Sequence, residues 1–137
     1  MIRAVGLNEI NPYIMPKILI IDDDTEFTRA VCATLKRHGY DVVEASGGKE
    51  GMDLYTQNPA DLVITDILMP DLDGMEVIFH LSKSFPGVKI IAISGGGQFG
   101  TAGDYLSLTG QIRNVRCTLS KPFSKDQLFE AVDRVLA

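Results

Sequence analysis

Lys17-Ile18-Leu19-Ile20-Ile21-Asp22-Asp23-Asp24 sets a short, mostly apolar run directly against three carboxylates. An apolar run without polar alternation is the mark of a strand covered on both faces, as in a parallel sheet between layers of helices. Three successive acids have no place in such an interior, so the strand ends at Ile21 and the acids mark its exit. Asp24 and Thr25 offer side-chain oxygens to the unpaired N–H groups of a helix start. Phe27, Ala30, Val31, Thr34 and Leu35 then share one helical face, and Gly39 supplies the C-terminal stop. Strand, acidic turn and amphipathic helix together predict a β–α unit.

Outward from this stretch the unit repeats. Residues 42–45 form a second strand, and Ser46-Gly47-Gly48 leads into a helix through Met52 and Tyr55 that must finish before Pro59. The third strand is 61–65. A loop containing Pro70, Asp71, Asp73 and Gly74 follows it, then a helix carrying Met75, Ile78 and Leu81 that Pro86-Gly87 ends. Residues 89–93 form the fourth strand and 116–119 the fifth, with a loop from Gly95-Gly96-Gly97 and a helix over 102–112 between them. Ser124 and Gln127 form a capping box for a last helix whose Leu128, Val132 and Val135 face the core. Five β–α units predict a doubly wound α/β fold with a five-stranded parallel sheet; if its order is the flavodoxin-like 2-1-3-4-5, strands 1 and 3 are neighbours. Residues 1–16 stand outside the alternation and read as an unstructured extension to a domain over 17–137.

The composition agrees with one such domain. The chain has 137 residues, 45% of them hydrophobic and 23% charged, which excludes wholesale disorder. Thirteen basic residues against eighteen acidic ones give a net charge of −5, with no basic block, which excludes nonspecific binding to nucleic acid or anionic membranes. No apolar run is long enough to span a bilayer, and the N-terminus lacks the pattern of a signal peptide, so a cytoplasmic protein is expected. Cys32 and Cys117 have no metal-type spacing and are expected as reduced core thiols. His38 and His80 are expected at the surface.

In a parallel sheet all strand C-termini share one edge, and ligands bind there where the strand order reverses. The first strand delivers Asp22, Asp23 and Asp24 to that edge, the third Asp66, the fourth Ser94, and the fifth Ser120 and Lys121. Converging carboxylates repel one another unless a cation joins them. An all-oxygen set without thiol or imidazole suits Mg²⁺, which keeps waters that a phosphoryl oxygen can displace. A carboxylate beside Mg²⁺, with an ammonium and a hydroxyl nearby, is equipped for covalent phosphoryl transfer with the carboxylate as nucleophile.

These motifs resemble the receiver domain of two-component response regulators. They are the acidic pair after strand 1, Thr65-Asp66-Ile67-Leu68-Met69-Pro70 with Asp73-Gly74, Ile93-Ser94-Gly95, and Ser120-Lys121-Pro122-Phe123. The likeness covers residues 17–137, and its strength lies in four signals in order at the right strand ends. It implies that Asp66 is the phosphoacceptor, that Asp23 ligates Mg²⁺ directly and Asp22 through water, and that the backbone carbonyl of Leu68 is a further ligand. It also implies that Ser94 is the switch hydroxyl and Lys121 the phosphate-binding lysine, followed by a cis bond to Pro122. The partners implied are a histidine kinase or histidine phosphotransfer protein, a downstream protein target or a covalently linked output domain, and in some family members a homodimer. Such a domain is a signalling phosphoacceptor whose only chemistry is on itself, rather than an enzyme acting on other substrates.

Departures from the family pattern carry their own expectations. Thr118 stands where an aromatic switch residue is common, and the span from Ser94 to Lys121 is some five residues longer than usual. Five glycines from Gly95 to Gly103 predict a mobile segment, Gly95 to Asp104, that orders on phosphorylation or partner binding. Apolar Leu68, two residues after Asp66, offers nothing to orient an attacking water, so slow loss of the phosphoryl group is expected. Bland roles cover the remaining acids: Asp24 as helix cap, Asp71 and Asp73 as turn formers. Lys121 alone would read as a solvated strand-end residue. Two rival functions remain to be weighed. A phosphohydrolase of the haloacid dehalogenase type would use Asp22 as nucleophile and Asp24 as acid/base, but leaves Asp66 unexplained and meets Glu26 where a small polar residue is preferred. A degenerate receiver would bind proteins and take no phosphate.

Overall fold

The computed structural model describes residues 15–67, 69, 74–95 and 111–137. Within them lie five strands, β1 (Lys17–Ile21), β2 (Asp41–Ala45), β3 (Leu62–Asp66), β4 (Ile90–Ser94) and β5 (Val115–Ser120). Four helices accompany them, α1 (Thr25–Arg37), α2 (Gly48–Gln57), α3 (Gly74–Ser84) and α4 (Lys125–Leu136). The strands pair in parallel, as the alternating sequence predicts, and their order is the expected β2-β1-β3-β4-β5.

The two-residue period of a strand divides the core. On β1, Ile18 and Ile20 join Leu62, Ile64, Ile91 and Ile93 in a cluster closed by α1 and α4. Leu19 and Ile21 point the other way and join Val63, Ile90 and Ala92 in a cluster closed by α2 and α3. Every interior strand thus needs apolar residues at consecutive positions, which is why β1, β3 and β4 read as unbroken apolar runs. Burial of each such side chain contributes roughly 1.5–3 kcal/mol.

Helix ends follow local chemistry. Asp24 caps α1 by accepting from the Phe27 N–H at 3.1 Å. After His38, Gly39 takes φ +101°, and its N–H and that of Tyr40 return to the carbonyls of Lys36 and Leu35. This Schellman closure uses a conformation that glycine adopts without a steric cost. Ser124 and Gln127 form the reciprocal capping box at the start of α4.

Several expectations shift. On α1 the buried face is Thr28, Val31, Cys32 and Leu35, with Ala30 exposed and Phe27 and Thr34 half-buried. Thr28 can be buried because its hydroxyl donates to the Asp24 carbonyl at 2.9 Å, while a lone alanine methyl costs little to expose. β3 and β4 each begin and end one residue later than periodicity predicts. Their ladders persist to the edge, where the N–H groups of Ile67 and Lys121 donate to the carbonyls of Ile93 and Ser94. Asp66 and Ser94 are therefore the last strand residues and not the first of a loop. β5 is longer by one residue at each end. The helix expected over 102–112 lies mostly outside the described residues, and 111–114 form a turn, so Ile112 is not helical. Residues 1–14 of the extension expected over 1–16, and the glycine-rich segment beyond Gly95, also lie outside them. Cys32 is a buried thiol as expected, but Cys117 is half-buried beside Arg134, on an edge strand that alternates between half-buried and exposed positions. Among the described residues no helix is long and apolar enough to cross a membrane.

Candidate functional site

β1 and β3 lie side by side, with Ile21 opposite Thr65, so the residues that end them meet at the reversal of strand order. Carboxylate oxygens of Asp22, Asp23 and Asp66 lie within 4.8 Å of one another. Asp22 and Asp66 are 1% and 8% exposed, while Asp23 faces solvent. Parity explains two of the three: Asp66 follows Leu62 and Ile64 on the α1/α4 side of the sheet, and Asp22 continues the series of Ile18 and Ile20.

Both oxygens of Asp22 are engaged. Oδ1 accepts from the Asp24 N–H at 2.9 Å, and Oδ2 receives the Lys121 ammonium at 2.9 Å. The same Nζ stands 4.0 Å from Oδ2 of Asp66. Lys121 reaches in from the end of β5, where Cys117 and Leu119 pack on the α1/α4 side, and its peptide bond to Pro122 is cis, as expected. Its ammonium also sits over the ring of Phe27, 4.0 Å from the centroid. Ser94, 2% exposed, ends β4 next to Asp66 and opposite Ser120.

The structure thus brings Asp22, Asp23, Asp66 and Lys121 together, with Ser94 on the neighbouring strand end. Leu68 lies outside the described residues, as do Asp71 and Asp73. Asp24 is engaged as a helix cap and is absent from the carboxylate cluster, which removes the acid/base residue the dehalogenase reading requires. His38 and His80 are exposed, as expected. Phe27 and Thr28 escape the sequence reading of the site. Thr28 ties α1 to the acidic turn through its hydroxyl, 3.4 Å from the Asp22 carbonyl. Their signal is position: both fall in the first turn after the cap, where a helix still faces the strand ends.

The donor set fits a hard divalent cation. It is all oxygen, no thiol or imidazole among the described residues joins it, and Mg²⁺ binds oxygens at about 2.0–2.1 Å, so ligands on opposite sides of one ion stand about 4 Å apart. A separation of 4.8 Å or less therefore needs only small side-chain movements to close on an ion.

Fold and site define a doubly wound α/β domain with an acidic, lysine-closed switch point. The sequence model of the response regulator receiver domain matches residues 18–133, and the chain belongs to that family. It is 34% identical over 119 residues to the transcriptional regulatory protein GlrR of Escherichia coli K12, covering 87% of this chain and 26% of GlrR. It is 31% identical over 121 residues to the chemotaxis protein CheY of Listeria monocytogenes, covering 88% of this chain and 98% of CheY. The chain therefore spans about a quarter of one relative and nearly all of the other. Among solved structures it resembles the response regulator protein TrrA of Thermotoga maritima, crystallised with Mg²⁺-BeF, with a TM-score of 0.76 and 29% identity. That match covers 89% of this chain and 100% of TrrA.

Proposed function

We propose that this receiver domain accepts a phosphoryl group on Asp66 from the phosphohistidine of a histidine kinase or histidine phosphotransfer protein, in the cytoplasm. The observation that carries this reading is the approach of one ammonium, Lys121, to two members of a three-carboxylate cluster, at 2.9 Å and 4.0 Å. An oxygen of Asp66 forms the new bond to phosphorus as the phosphorus–nitrogen bond to the donor imidazole breaks. The imidazole keeps the electron pair and takes up a proton. Asp23 and Asp66, with Asp22 through water and the Leu68 carbonyl, would hold Mg²⁺, which would supply positive charge to the phosphoryl oxygens and to the crowded carboxylates. Lys121 leaves Asp22 to pair with a phosphoryl oxygen, and the Ser94 hydroxyl donates to another. The product is the altered surface of this domain, read by a protein target or by a linked output domain. The likeness to both a transcriptional regulator and a chemotaxis protein supports either form of output.

Intact-mass spectrometry after incubation with Mg²⁺ and acetyl phosphate tests the reading. A single phosphoryl adduct is expected, absent in Asp66→Asn and absent with EDTA. An unmodified mass under all conditions, with a phosphohistidine donor also supplied, supports a binding-only receiver. An adduct retained in Asp66→Asn but lost in Asp22→Asn would overturn the assignment.

A further inference from the structure

Phe27 is half-buried, in the first turn of α1, and packs, as Phe123 does, against the core cluster. The two rings meet edge to face, with centroids 5.8 Å apart and planes at 85°. Between the strand edge and this aromatic pair lies the Lys121 ammonium, 4.0 Å from the Phe27 centroid and 2.9 Å from Asp22. A lysine head is a compact charge on a flexible stem, so a single carboxylate leaves it free to swing. A ring face on another side limits that swing, because its quadrupole attracts the cation.

We propose that Phe27 is a positioning residue that holds the Lys121 ammonium toward Asp66 through the face of its ring. The inference rests on the reading of Lys121 as the residue that meets the phosphoryl group. The two restraints on Lys121 differ in kind. The Asp22 contact must be given up when the ammonium turns to a phosphoryl oxygen, because Oδ2 and that oxygen compete for the same charge. The ring carries no net charge and does not compete. It stays with the ammonium in both positions and limits the motion to the short path between Asp22 and Asp66. Phe123 fixes the ring in turn through the edge-to-face contact.

Fluorination of the Phe27 ring weakens its quadrupole with little change of shape, which separates this role from packing. The experiment incorporates 4-fluoro-, 3,5-difluoro- and 3,4,5-trifluorophenylalanine at position 27 of the full chain. Two quantities are read: the dissociation constant of beryllofluoride with Mg²⁺, and the rate of adduct formation with acetyl phosphate by intact mass. A stepwise loss is expected, about three- to fivefold across the series in both quantities. The Lys121→Ala variant, assayed at higher donor concentration, is expected to form its adduct at a rate indifferent to fluorination. Equal values across the series with Lys121 present would overturn the proposal, since packing alone then accounts for Phe27. A slope that persists in Lys121→Ala would overturn it too, by showing that the ring acts on something else. If the unsubstituted chain takes up neither beryllofluoride nor acetyl phosphate, the phosphoacceptor reading fails and this inference falls with it. That outcome is distinct from a flat series on a protein that does react.

Discussion

At the scale of single residues, charge and burial meet away from the site as well. Tyr40 donates its hydroxyl to Asp133, which also pairs with His38 at 3.5 Å, while the His38 ring stacks on Phe129 at 3.9 Å. Burial, and then the hydrogen bond to the Asp133 carboxylate, pushes the Tyr40 phenol well above its ordinary value of 10.0. A folded-state pKa raised in this way contributes stability that is fully present below pH 10 and is lost as pH rises beyond it. Tyr40→Phe is therefore expected to lower stability by about 0.5–1 kcal/mol at pH 8, where the hydrogen bond is intact. The difference should shrink at pH 11, as comparison of urea midpoints at the two pH values will show. An undiminished difference would mean that the phenol does not titrate differently in the folded state. Burial likewise raises the Cys32 thiol, aided by the nearby Glu44 carboxylate, which keeps it in the unreactive protonated form.

At the scale of elements, termini and close approaches do more than propensity. The reciprocal bonds of Ser124 and Gln127 at the start of α4 span 3.0 Å and 2.8 Å and satisfy two helix N–H groups. Ser124→Ala is expected to cost about 1 kcal/mol, seen as a lower urea midpoint at unchanged slope. Because α4 closes the core over β1 and β3, the loss should be global and not confined to fraying. Gly74 plays a different part. Its N–H donates to the Ile67 carbonyl at 2.7 Å, and a Cβ there would collide with the backbone of Asp66 and Ile67. The start of α3 therefore rests directly on the strand end that carries the phosphoacceptor candidate.

At the scale of the whole molecule, the sheet edge holds like charges close in the folded state only. A ligand that binds the folded chain alone stabilises it by mass action, about 2.7 kcal/mol at a hundredfold excess over its Kd. Mg²⁺ is thus expected to raise the thermal unfolding midpoint of the wild type and to leave that of Asp23→Asn unmoved. In EDTA, Asp23→Asn should be at least as stable as the wild type, since one of three crowded charges is gone. Scanning calorimetry of both proteins with and without Mg²⁺ checks the pair of outcomes. Equal responses to Mg²⁺ in the two proteins would remove Asp23 from the proposed metal site.

The sequence by itself determined the alternation of strands and helices, both helix caps at Asp24 and Ser124, the stop at Gly39, and which residues collect at one edge. Each follows from local periodicity, from capping chemistry, or from the rule that parallel strands end together. The tertiary structure decided what local rules leave open. Strand ends moved by a residue at Asp66 and Ser94 because ladder hydrogen bonds depend on the neighbouring strand. The face of α1 turned to bury Thr28 because a hydroxyl can be satisfied by its own helix. The placement of Lys121 between Asp22 and Phe27 joins residues about a hundred positions apart in the chain. No spacing in the sequence encodes that contact; it exists because β5 and α1 meet over the same edge of the sheet.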